Sequence, residues 1–125
     1  MNSKQKTILD KTVEYAKGNS TQLPQMAATI VIKNEIVSVG FNQKRTHPFQ
    51  KLMSGDENKI HIHAEMDALN KALKVIKRED LKKATMFVAR VLKNGCKAKA
   101  KPCMYCAKAL ERFNLSAVYW TEYEQ

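Results

Sequence analysis

The stretch TMFVARVLKNGCKAKAKPCMYCAKALERFNLSAVYW, residues 85–120, decides the fold. Thr85–Leu92 reads as a strand, and Lys93-Asn94-Gly95 as a hairpin signal, because Asn-Gly tolerates positive φ at both turn positions. Cys96–Lys101 alternates with period two, the pattern of a short return strand whose lysines Lys97, Lys99 and Lys101 share one face. Pro102 stops that strand and preorganises a helix over Cys103–Phe113, with Cys106, Ala107, Leu110 and Phe113 inward. Leu115–Trp120 is a closing strand. A strand, a helix and a strand in this order form a crossover that lays the two strands parallel in one sheet.

Working outward, Lys4–Lys17 carries Ile8, Leu9, Val13 and Ala16 at helical spacing, and Gly18-Asn19 ends that helix. Met26–Lys33 is apolar on both faces, as a central strand requires. Asn34-Glu35 turns it into a second strand, Ile36–Gly40. A polar loop with Pro48 and Gly55 fills Phe41–Lys59. The next helix spans His63–Lys77, with Ala68, Leu69, Ala72, Leu73 and Ile76 as its buried stripe. The order α-β-β-α-β-α-β predicts an α/β layered domain, its strands in one sheet covered by helices.

Composition bounds the function. The chain has 125 residues, a length that fits one domain over 1–125, and 44% hydrophobic residues, too many for a disordered chain. The longest apolar run, Met26–Ile32, is a strand's worth and far short of a membrane span, so no membrane partner is expected. The charged start, MNSKQKTILDK, has no apolar signal region, and the reading is a cytoplasmic protein. Lys+Arg number 22 against 12 Asp+Glu, a formal net charge of +10. Eighteen of the basic residues are lysine and four are arginine (Arg45, Arg78, Arg90, Arg112). Arginine, not lysine, makes forked contacts to bases and phosphates, so this excess does not by itself signal nucleic-acid reading. Three cysteines in a reducing compartment argue for metal or catalytic use over a disulfide framework.

Two motifs carry chemistry: His63-Ala64-Glu65, and Pro102-Cys103-Met104-Tyr105-Cys106. Cys103 and Cys106 lie on one helical face at a helix start, where unpaired N–H groups and the helix dipole favour thiolate. His63 starts the other helix. Two thiolates and one imidazole make the three-ligand pattern of a catalytic zinc, whose fourth position belongs to water. A closed structural site would need a fourth protein ligand, and Cys96 and His61 are the candidates. Glu65, two residues past the histidine, can reach the water without binding the metal and act as its proton acceptor. The bland alternative is a first-turn glutamate favoured by the helix dipole.

H-x-E followed by P-C-x-x-C is the zinc-deaminase signature. With Gly40-Phe41-Asn42 at the end of the second strand, the chain resembles the cytidine and deoxycytidylate deaminase superfamily over nearly its whole length. The resemblance implies an α/β fold of three layers, α/β/α, with a mixed sheet of four main strands plus the short hairpin strand. The continuation Cys106-Ala107-Lys108 is similar to deoxycytidylate deaminases. The resemblance implies that His63, Cys103 and Cys106 bind one Zn2+ and that Glu65 shuttles the proton. It also implies that Asn42, the Ala64 backbone and Phe41 meet the substrate. The implied activity is hydrolytic deamination of a cytosine-containing nucleoside or nucleotide, of cytidine or dCMP type. The alternative is a deaminase of single-stranded DNA, RNA or tRNA, with Lys97, Lys99 and Lys101 tracking phosphates and Phe41, Phe49, Tyr105 or Trp120 stacking on bases. A zinc-stabilised binding domain without catalysis is the third reading. Family members commonly continue past the last strand, so the sheet edge left here is expected to lie against another subunit, in a homo-oligomer. No cysteine falls within 41–62, which argues against a second zinc site.

Overall fold

The structure, a computed structural model, describes residues 1–19, 25–42 and 63–124. Its elements are α1 (Ser3–Gly18), β1 (Gln25–Ile32), β2 (Glu35–Phe41), α2 (Ala64–Ala72), a short 3-10 helix (Arg78–Lys83), β3 (Thr85–Val91), β4 (Lys97–Ala98), α3 (Met104–Arg112) and β5 (Ala117–Trp120). The expected order is all there. Of the polar loop, Pro48, Phe49, Gly55 and His61 lie outside the described residues. No helix among those described is long and apolar enough to cross a membrane.

One mixed sheet of five strands organises the chain. β1 lies between β2 and β3, antiparallel to both, so β2 and β3 run the same way. β5 pairs parallel with the first half of β3, Thr85 to Val88, and β4 pairs antiparallel with its last two residues. The central place of β1 explains its apolar run. Ala28 and Ile30 face a core shared with Ala64, Leu69, Cys106 and Leu110, while Ala27 and Val31 face the α1 side with Val13 and Ile8. α1 therefore covers one face and α2 with α3 the other, the three layers expected.

Local chemistry sets the element ends, in places differently from the sequence reading. Asn2 caps α1 and exchanges 2.9 Å hydrogen bonds with Gln5 in a capping box. The β1–β2 turn is Lys33-Asn34, both at positive φ (52° and 64°), so β2 begins at Glu35 rather than Ile36. Positive φ at both central residues is the type I′ turn, whose twist matches the strands. A bulge at Val37 shifts the register between Ile30 and Val31. In the second hairpin only Gly95 has positive φ (89°), not Asn94. Gly95 N–H donates to Leu92 O at 2.8 Å, a type I turn with a glycine bulge, and the Asn94 side chain instead accepts from Cys96 N–H at 3.0 Å. The return strand is two residues long because the chain from Ala98 onward bonds to the segment after β5, through Thr121 Oγ1 to Ala98 O and Ala100 N–H to Thr121 O. α2 stops at Ala72, short of Lys77, where its bonds tighten to i→i−3 spacing. On α3 the buried phase is Cys106, Ala109, Leu110 and Phe113; Ala107 is exposed, a correction of one position.

Candidate functional site

The site forms where α2 and α3 begin. β2, β3 and β5 run parallel, so their C-terminal ends lie on one side of the sheet, and each helix N-terminus comes back to that side. His63 is the N-cap of α2, in extended conformation, and its imidazole makes no capping bond. Cys103 is the N-cap of α3, and its Sγ accepts from Cys106 N–H at 3.5 Å. The imidazole Nδ1 of His63 lies 3.2 Å from Cys106 Sγ and 3.7 Å from Cys103 Sγ.

That spacing fits a metal. Tetrahedral zinc with Zn–N of about 2.05 Å and Zn–S of about 2.3 Å needs N and S about 3.6 Å apart. The two measured separations bracket this value. Among the described residues His63, Cys103 and Cys106 form the group able to hold an ion, their donor atoms all within 4.8 Å of one another. Cys96, offered as a fourth ligand, stands outside that group, and His61 lies outside the described residues. Among the described residues the donors are therefore the three-ligand set.

Electrostatics supports the same reading. The Cys103 thiol is pulled down to about 3, first by hydrogen bonding with Cys106 and then with the His63 imidazole, against the opposing effect of burial. It is a thiolate at neutral pH, ready to bind metal without losing a proton. Glu65 is 3% exposed and its Oε1 has no hydrogen-bond partner. Burial pushes its carboxyl above the ordinary glutamate range, and the Cys103 thiolate adds to this; its own backbone hydrogen bond and the His63 charge oppose it. A buried oxygen without a partner costs about 1–3 kcal/mol, which a bound water or substrate would relieve. A glutamate that merely favoured the helix dipole would face solvent. This one does not.

The approach of α2 to the sheet depends on Gly40. A Cβ there would run into Ala68 N, Ala64 O and Ala68 Cα, all backbone, so only glycine lets the helix sit this close. Ser38, on the same face two residues earlier, donates to Ala68 O at 2.8 Å. Ala64 is fully buried at this contact. Phe41, by strand alternation, turns the other way and packs against Val13, Ala16 and Val91 on the α1 face. What Phe41 brings to the site side is its main chain, because its N–H donates to Asp67 Oδ2 at 2.9 Å. Asn42 follows, its Oδ1 accepting from Met26 N–H at 3.2 Å and from Asn19 Nδ2 at 2.9 Å.

Asp67 is the residue that sequence reasoning missed. It is 3% exposed, and the oxygen holding Phe41 also meets Lys71 Nζ at 2.9 Å. The signal available in the sequence is an acid one turn ahead of a lysine, Asp67 and Lys71. Of the three hairpin lysines, Lys99 and Lys101 are exposed and Lys97 is half-buried. Lys101 Nζ lies 5.9 Å from the Trp120 ring centroid. Pro102 and Trp120 line an apolar hollow of about 290 Å3 with Leu110 and Val118, between α3 and β5.

Comparison with known proteins places this geometry. A guanine deaminase from Bacillus subtilis shares 23% identity and superposes with a TM-score of 0.63, covering 98% of this chain but 65% of that one, just under two thirds. A dCMP deaminase from the cyanophage S-TIM5, in complex with dCMP and dUMP, superposes at 0.67 with 20% identity, over 96% of this chain and 82% of that one. A tRNA deaminase studied for A-to-I editing at the wobble position superposes at 0.60 with 17% identity, over 94% and 76%. At these identities the likeness establishes the shared fold alone. No curated protein matches the sequence. The family described as "Cytidine and deoxycytidylate deaminase zinc-binding region" matches residues 2–122, nearly the whole chain, and the chain belongs to that family.

Proposed function

We propose that residues 1–125 act as one deaminase domain that hydrolyses the exocyclic amine of a cytosine nucleoside or nucleotide, of cytidine or dCMP type, releasing ammonia. The observation that carries this is Glu65 Oε1, buried and without a partner beside three zinc-type donors. The family description and the dCMP deaminase neighbour support cytosine as the base. His63, Cys103 and Cys106 would hold zinc, which when bound acts as a Lewis acid and lowers the pKa of its water toward about 7.

Glu65 does the proton work. As carboxylate it takes a proton from water while the oxygen bonds to carbon 4 of the ring. It then delivers that proton to ring nitrogen 3. A second proton goes from the new hydroxyl through Glu65 to the amine; the carbon–nitrogen bond breaks, ammonia leaves and a carbonyl remains. Water and cytosine thus become ammonia and uracil. In this reading the buried α2 N-terminus at Ala64 and the Phe41-Asn42 segment, held by Asp67 and Met26, would wall the base, and Asn42 would contact the substrate.

A second reading, a polynucleotide substrate, draws on exposed Lys99 and on Lys101 beside Trp120 at the same end of the sheet. β5 pairs only with β3 among the described residues, which supports the expected homo-oligomer. A panel of cytidine, deoxycytidine, CMP, dCMP, adenosine and single-stranded oligonucleotides, read by ammonia release, tests the assignment. Turnover of the cytosine monomers is expected. Turnover of adenosine or oligonucleotides alone would overturn it.

A further inference from the structure

Among the described residues, the Arg90 side chain has no carboxylate and no hydrogen-bond acceptor to pair with. On β3, Phe87, Ala89 and Val91 pack toward α1, while Met86 and Val88 join the core beneath α2 and α3. Strand alternation therefore sends Arg90 to the α2/α3 face, at the C-terminal end of β3 where the site lies. Its partner across β1 is Met26, whose N–H holds Asn42 Oδ1. Its partner across β4 is Ala98, on the segment that leads through Pro102 to Cys103. Arg90 thus stands between the Asn42 strand end and the approach to the cysteine motif.

The Nε of Arg90 is buried and has no hydrogen-bond partner, while the residue as a whole is half-buried and keeps some contact with solvent. Among the described residues no carboxylate lies within ion-pair distance of it. A guanidinium is a cation with five N–H donors and no acceptor, so only an anion or an acceptor can satisfy it. Holding a partly desolvated cation without a counter-charge works against folding. Such a group is tolerated where an anion completes it, and the guanidinium fork matches phosphate in particular.

We propose that Arg90 is the anion-recognising residue of this site, and that the natural substrate carries a phosphate. Resting on the deaminase reading above, this separates nucleotides from free nucleosides and bases. The phosphate can belong to a free nucleotide or to a strand, and the arms of the test tell these apart.

The test uses full-length, zinc-loaded protein in a Glu65→Gln background, so that binding is read without turnover. Calorimetry would measure dCMP, deoxycytidine, inorganic phosphate and a short single-stranded oligonucleotide, with Arg90 and with Arg90→Met or Arg90→Lys. We expect dCMP to bind at least about 10-fold more tightly than deoxycytidine. Arg90→Met should remove about 10- to 100-fold of dCMP affinity, leave deoxycytidine unchanged and leave zinc content intact, with Arg90→Lys recovering part. Inorganic phosphate should compete with dCMP only when Arg90 is present. An Arg90-dependent loss for the oligonucleotide and not for dCMP would also support the phosphate contact, with a strand as its source. Equal binding of all ligands with and without Arg90, or equal weakening of dCMP and deoxycytidine, would overturn it. If Arg90-dependent dCMP binding is found while the wild-type chain deaminates nothing, the anion site stands and the deaminase reading falls.

Discussion

Replacing Gly40 with alanine is expected to disable the site from a distance. The added Cβ would stand 2.7 Å from Ala68 Cα and closer still to Ala68 N and Ala64 O. Ordinary contact begins at about 3.4 Å, so α2 must retreat by about 0.7–1.3 Å; a backbone obstacle has no rotamer to escape into. Overpacking of this kind costs about 1–3 kcal/mol, and the upper end applies. At about 2.1 cal/mol/K of unfolding entropy per residue, 3 kcal/mol lowers the melting temperature by about 10 °C. The larger effect is catalytic. His63 and Glu65 ride on the first turn of the displaced helix, and a misplacement of about 1 Å can cost about 100-fold in rate. Calorimetric melting together with turnover at measured zinc content reads both effects. Gly18→Ala is the control, because a Cβ there meets nothing within 4 Å. If Gly40→Ala matched the control in melting and turnover, the close packing of α2 on β2 would not position the site.

Other consequences can be checked alongside. Because burial raises the Glu65 carboxyl, the folded apoprotein holds that proton longer than the unfolded chain, and stability falls as pH rises from about 4.5 through the raised value. Zinc-free Glu65→Gln should therefore be more stable than wild type at neutral pH and equal to it near pH 4; denaturant melts across pH would show an unchanged gap if the oxygen were satisfied. Cys103→Ser or His63→Ala should lower zinc content steeply, measured by atomic absorption after dialysis, and full retention would remove either residue from the ligand set. Asp67→Ala should destabilise by about 1–3 kcal/mol by orphaning Phe41 N–H, while Asp67→Asn keeps the acceptor and recovers most of it. Lys71→Ala takes the counter-charge from the buried Asp67 carboxylate and should also destabilise in the same melts, though less than Asp67→Ala because the ammonium end is 44% exposed.

The elements that sequence exposes are those whose chemistry restricts residue type. His63, Cys103 and Cys106 point to a metal, and Glu65 to a candidate base only because it stands beside them; the structure brings the three donors together. The α/β alternation was equally plain, because β1 is apolar on both faces and β3-α3-β5 is a complete crossover. What stayed hidden depends on phase and on long-range partners. Lys33 occupies positive φ although lysine is no turn signal; the strand pairing imposes that conformation. On α3 the inward stripe keeps Cys106, Leu110 and Phe113 and is completed by Ala109 rather than Ala107. Asp67 and Arg90 look like two more surface charges until the sheet register shows what they face. The +10 charge likewise resolves into unequal residues, with Lys97 half-buried and Lys99 exposed.

The most direct test compares wild-type chain and Glu65→Gln, each carrying one zinc, for ammonia release from dCMP and cytidine. The wild type should release ammonia from at least one of them, and Glu65→Gln should lose at least about 100-fold in rate at equal zinc content. Equal rates, or a glutamine variant that cannot hold zinc while His63, Cys103 and Cys106 are intact, would contradict the account.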